Sequence, residues 1–194
     1  MSVLVPYITT WSTEKALPTT VVARRSGIGY LDETLGDRDD HGVLWTRIAS
    51  RPGQGRPMFG KVHSLRQRRA MHRLLCQVCA APADRTDQGV LWLLNDTRED
   101  WRTWPEGMAC TEPPVCLPCA RTSVHACPSL RKGWVAVRVG QFPVSGVVGA
   151  RYRPGNPFPT PVEDVTLPFD DPDIRWTRAG QLVRELRDCT MVNL

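Results

Sequence analysis

Apolar positions along the chain come mostly in short runs broken by glycine, proline and acidic turns, a pattern that predicts several short strands. Residues 3–11, 21–23 and 27–30 are β-prone, residues 36–40 form an acidic turn-rich connector, and residues 42–48 read as a further strand. A loop over residues 51–57 holds Gly53 and Gly55 but lacks the Lys-Ser/Thr ending of a phosphate-cradling loop, so it reads as a turn. One short repeat recurs: Arg38-Asp39-Asp40-His41-Gly42-Val43-Leu44-Trp45 and Arg85-Thr86-Asp87-Gln88-Gly89-Val90-Leu91-Trp92. Each copy is a polar turn whose glycine feeds an apolar strand, which places Trp45 and Trp92 in cores.

Helical spacing replaces the short alternation at two places. Over residues 65–75, with Ser64 as N-cap and Gln67 completing a capping box, Ala70, Met71, Leu74 and Leu75 fall on one side with Gln67. Arg66, Arg68, Arg69, His72 and Arg73 gather on the other side, with no acidic residue for pairing along the helix. Near the C-terminus, Asp171-Pro172 is a cap and first-turn signal, and Ala179, Leu182, Val183, Leu186 and Cys189 mark an amphipathic helix docked as core. Before it, residues 134–139, 146–152 and 165–169 read as strands, with a proline-rich connector between the second and third.

Charge sharpens the picture once it is located. Residues 51–75 carry seven lysines and arginines and no acidic residue, whereas residues 1–50 carry five against six, so the net charge of +5 comes from that one segment. Arginine outnumbers lysine 22 to three (Lys15, Lys61, Lys132), which composition explains; in this respect the whole chain resembles uncharacterised actinobacterial accessory or mobile-element proteins. With 194 residues, 41% of them hydrophobic, the chain supports a real core and is neither a disordered tail nor a coiled-coil rod. No stretch approaches the ~18 apolar residues of a membrane span, and the N-terminus lacks the basic start and apolar run of a secretory signal. The expectation is a cytoplasmic protein without a membrane partner.

Six of the seven cysteines lie within residues 76–127, and four of them form two C-x2-C pairs, Cys76/Cys79 and Cys116/Cys119. That spacing lets each pair bend around one ion, and four thiolates select zinc over hard cations. A disulfide framework competes, but a cytoplasmic chain disfavours it. Cys110 reads as a fifth thiol near the site or, more commonly for free cysteine, a small buried hydrophobe, Cys127 carries no assigned role, and His125 lies too far along its helix to reach the ion bound at Cys119. Cys76-Gln77-Val78-Cys79, then Gly89-Val90-Leu91-Trp92, then Cys116-Leu117-Pro118-Cys119-Ala120 resemble the treble-clef zinc fold over about residues 76–127. The resemblance implies a knuckle, a hairpin and a helix over residues 116–126 whose first turn supplies the last two ligands, around a structural Zn2+.

The expected architecture is α+β: one compact domain of 1–194 in which a β region (1–62), the basic helix with the zinc module (63–133) and a strand–helix region (134–194) follow one another. The expected function is nucleic-acid binding in a regulatory or accessory role, with Arg66, Arg68, Arg69 and Arg73 facing phosphate. Trp101 and Trp104 offer base-stacking surface, though packing is the commoner fate of tryptophan. A protein adaptor meeting an acidic partner is the alternative. Treble clefs also occur in HNH-type endonucleases, but the corresponding stretch holds Asn95 and Asp96 without histidine, and Ala120 stands where such nucleases often carry histidine. The expectation therefore leans away from an enzyme.

Overall fold

The computed structural model describes residues 4–194, so Val3, which opens the first expected strand, lies outside it. In chain order the elements are β1 (Thr9–Trp11), β2 (Val21–Arg24), β3 (Gly27–Tyr30), β4 (Leu44–Trp45), β5 (Pro57–Val62), α1 (Ser64–Arg73), β6 (Arg85–Thr86), β7 (Gly89–Asn95), β8 (Met108–Cys110), α2 (Leu117–Ala126), β9 (Trp134–Gln141), β10 (Val144–Arg153), β11 (Thr160–Pro168) and β12 (Thr177–Val192). The protein is thus mixed and mostly strand, with two α-helices among the described residues. No helix among them is long and apolar enough to cross a membrane.

The chain divides into two compact units, and their borders do not follow the three regions read from the sequence. One holds the chain up to Thr9, Phe59–Val144 and Val183–Leu194; the other holds Thr10–Met58 and Ser145–Leu182. In the first unit β7 pairs antiparallel with β6 and β9, and β9 pairs with the end of β12. Both faces of this sheet are covered. Val90, Trp92 and Leu94 of β7 join Val135, Val137, Val139 and Leu186 on one side, while Leu91 and Leu93 join Ala136, Val78, Val115 and Ala120 on the other. Period-two alternation with both faces buried explains why β7 reads as an unbroken apolar run. Gly89 opens that strand at φ +112°, and any Cβ there would meet the Val139 carbonyl of β9, so only glycine fits.

In the second unit the β2–β3 hairpin, Leu44 and Tyr152 enclose Tyr30, whose hydroxyl donates to the Trp45 carbonyl at 2.9 Å. Trp45 and Trp92 are both buried, each with its indole N–H donated, to Asp39 Oδ2 and to the Glu112 carbonyl.

Two helix expectations need correction. The expected C-terminal helix is strand β12: Thr177, Ala179, Leu182, Val183, Arg184 and Leu186 are buried in strand pairing with β4, β8 and β9. Gly180 costs a helix interior about 1 kcal/mol, and Thr177, Val183, Thr190 and Val192 favour a pleated surface. The Asp171-Pro172 signal survives only as a 3-10 turn over Pro172–Trp176, with the Asp171 side chain accepting the Asp173 N–H. The basic helix starts one residue earlier than expected. His63, not Ser64, is the N-cap, its Nδ1 accepting the Arg66 N–H, and Leu74 ends the helix in a left-handed conformation at φ 51°.

Candidate metal centre

The first cysteine pair is shaped by the chain leaving α1. Leu74 turns the backbone, Leu75 bridges to Pro82, and the Cys76 N–H donates to the Ala81 carbonyl at 2.7 Å. The Ala80 N–H returns to the Cys76 carbonyl at 2.9 Å with Ala80 at φ 62°, closing a tight loop with Cys76 and Cys79 inside it. The Val78 N–H points at Cys76 Sγ, 3.4 Å away. The second pair opens α2: Cys116 is its N-cap, Pro118 sits in the first turn, and Cys119 follows. Gln77 N–H to the Pro114 carbonyl and Asp84 N–H to the Val115 carbonyl join the two segments to each other, and Val115 N–H to the Leu91 carbonyl ties them to β7.

This wiring gathers the sulfurs of Cys76, Cys79, Cys116 and Cys119 within 4.8 Å of one another. Cys79 Sγ and Cys116 Sγ lie 3.7 Å apart, too far for a disulfide, and every cysteine is free. The edge of a tetrahedron built from ~2.3 Å Zn–S bonds is about 3.8 Å. Four soft donors at that spacing fit a metal ion held on all sides by thiolate.

Ionisation follows the surroundings of each sulfur. Burial pushes the Cys76 thiol up, and burial together with the neighbouring thiols pushes Cys119 well up. Partial burial also opposes ionisation of Cys79, but the Ala81 N–H and the surrounding cysteines outweigh it and leave that thiol below its ordinary value. Four thiolates this close repel one another, and a dication is the charge that relieves the repulsion.

The remaining cysteines stand apart from the cluster. Cys110 is buried beside Val90 and Trp92, where burial and then Glu112 hold its thiol well above the ordinary value. Cys127 contacts the Ser129 hydroxyl at 2.9 Å, and His125 is exposed on α2. Trp104 is buried, whereas Trp101 is partly exposed, its indole N–H donated to the Glu106 carbonyl. Asn95 ends β7, and the Asp96 carboxylate is gripped by Arg98 at 2.6 Å.

The expected arginine face is not one surface. Arg66 is buried, and its Nη2 donates to the Thr9 carbonyl at 2.7 Å, which ties α1 to the start of β1. Arg68 is half-buried, while Arg69 and Arg73 are exposed with His72 and Leu65. An arc drawn at 100° per residue puts Arg66 at the margin of the buried side, where the long side chain can turn inward. Two further residues fix the helix and carried no functional signal in the sequence. Gln67 donates to the Thr111 carbonyl at 2.7 Å. Buried Arg184 donates through Nε and Nη2 to the Met71 carbonyl and through Nη1 to Phe142, a cation with carbonyl partners whose burial pulls its pKa down.

Comparison with protein-family models, curated proteins and solved structures finds no match for the chain.

Proposed function

We propose that the protein is a zinc-stabilised nucleic-acid-binding protein, in which Cys76, Cys79, Cys116 and Cys119 hold a structural Zn2+ and the exposed side of α1 contacts phosphate. The order of knuckle, β6–β7 hairpin and α2 carrying the second pair supports the treble-clef reading of residues 76–127. One observation carries the partner assignment: Arg69 and Arg73 are exposed, and neither has an ion pair or hydrogen bond among the described residues, on a helix with no acidic residue. Arginine forks held on a fixed helix neutralise phosphates and release counterions. The fixing is local, because Arg66, Gln67 and Arg184 pin α1 and two residues separate its end from Cys76.

The test measures binding of labelled duplex and single-stranded oligonucleotides across a salt series. Each arginine–phosphate pair lost from a duplex complex flattens the slope of log K against log salt by about 0.9. The Arg69→Ala/Arg73→Ala variant should therefore weaken binding to every sequence and flatten the duplex slope by about two units, with zinc content unchanged. Absence of salt-dependent binding to any nucleic acid sinks the reading and turns attention to an acidic protein partner. Cleavage of the probes in Mg2+ would revive the nuclease alternative.

A further inference from the structure

Strand β5 leads directly into α1 through a single buried residue, His63, whose N–H donates to the Ile8 carbonyl at 2.7 Å. Among the described residues the strand pairs only with β1, and its last four residues, Phe59, Gly60, Lys61 and Val62, are all exposed. Phe59 is 57% exposed, high for a phenylalanine, and a Cβ added at Gly60 would meet nothing within 4 Å. Side chains alternate along a strand, so Phe59 and Lys61 project on the same side. On the helix that follows, Leu65, Arg69 and His72 recur at i, i+4 and i+7 and form one exposed stripe beside Arg73.

Consecutive elements of one unit thus present an uncovered aromatic ring, an uncovered lysine and two uncovered arginines. They lie within the segment of residues 51–75 that carries no acidic residue. An acid-free setting argues for a polyanion. The phenylalanine then decides which kind. In a duplex the base faces are stacked inside and an exposed ring outside finds no partner, whereas the bases of a single strand are open to stacking on aromatic rings.

We infer that β5 and α1 form a platform for single-stranded nucleic acid, on which Phe59 stacks against a base while Lys61, Arg69 and Arg73 follow the phosphates. This rests on the nucleic-acid reading of the arginine helix and names the form of the ligand. The ring tolerates any base, so recognition through it is sequence-independent.

Fluorescence anisotropy with a labelled oligothymidylate and with a duplex of equal length tests the inference on the zinc-loaded full chain. Single-strand binding should be tighter than duplex binding. Phe59→Ala should weaken it about fivefold or more while leaving duplex affinity and the salt slope unchanged. Phe59→Trp should retain or improve it, which excludes a folding defect as the cause. Equal affinity for the two probes, or a Phe59→Ala variant that binds oligothymidylate like the parent, overturns the platform while leaving the arginine reading intact. Absence of salt-dependent binding to either probe removes both.

Discussion

Metal removal should unfold α2 while leaving α1 in place. Ala120 is the only fully buried residue of α2, and Leu117 and Val124 are half-buried against the Leu91 side of the sheet. At about 0.8 kcal/mol per buried methyl group and roughly 1 kcal/mol for each half-buried Leu or Val, apolar burial supplies about 3 kcal/mol. A ten-residue helix falls below the ~12–15 residues at which an isolated helix becomes marginal in water. The attachment that remains would be an ion held by Cys116 and Cys119, and binding free energies at such sites are on the order of 10 kcal/mol in zinc peptides. By contrast α1 is tied down by hydrogen bonds from Arg66, Gln67 and Arg184 to the Thr9, Thr111 and Met71 carbonyls, bonds that involve no cysteine. Chelation, or Cys116→Ser, should therefore abolish about half of the α-helical signal in far-ultraviolet circular dichroism, since α1 and α2 each contribute ten residues. Hydrogen exchange resolved by residue should show protection lost over residues 120–126 and kept over α1. If elemental analysis confirms complete metal loss while both the helical signal and the α2 protection persist, the apolar contacts suffice and the argument is wrong.

Two other perturbations test the way the fold is held. Arg184→Met keeps an apolar stem but leaves the Met71 and Phe142 carbonyls without their buried donor, so urea denaturation should show a loss of about 2–5 kcal/mol, with α1 exchanging faster. In the second unit, hydrogen bonding to Arg47 holds the Asp37 carboxyl well below the usual carboxylate range. A depressed folded-state pKa means that its stabilisation is complete above the unfolded value of about 4 and fades as pH falls towards the folded one. Asp37→Asn should therefore lower the thermal midpoint at pH 7, and the two proteins should converge on acidification below about pH 4; a gap that stays constant with pH refutes the linkage.

The parts of the fold that were legible are those where local pattern and tertiary demand agree. Strand β7 was readable because its apolar run is bounded by Gly89 and by Asn95-Asp96, and both its faces are buried. The end of the chain misled because Ala179, Leu182, Val183, Leu186 and Cys189 satisfy a helical period by accident of a change in the alternation. Residues 177–180 place their odd positions inward, whereas residues 182–184 are buried on both faces, so the periodicity of two is broken where a helix pattern looks best. Gly180 and the β-branched residues carried the contrary signal. Strand β8 was invisible because Met108, Ala109 and Cys110 are too few to show any period, and they are strand only through pairing with Arg184, Glu185 and Leu186 of β12.

The same division runs through the site. Cysteine spacing is a local constraint, since two intervening residues suffice to close a loop around an ion, and so the four ligand candidates could be named before their sulfurs were seen within 4.8 Å. The arginine face is a tertiary matter. A helical wheel assigns Arg66 by angle alone, yet its guanidinium reaches the Thr9 carbonyl, 57 residues away in sequence, while Arg184 reaches the Met71 carbonyl from 113 residues away. Both arginines face carbonyl oxygens that a helix end or a strand end leaves over, and supplying donors to them inside a protein requires a long cation from elsewhere in the chain. Such a residue cannot be told from a phosphate-binding arginine by its type or its neighbours in sequence. What separates them is burial: Arg66 and Arg184, which complete the fold, are turned inward, whereas Arg69 and Arg73 stay exposed.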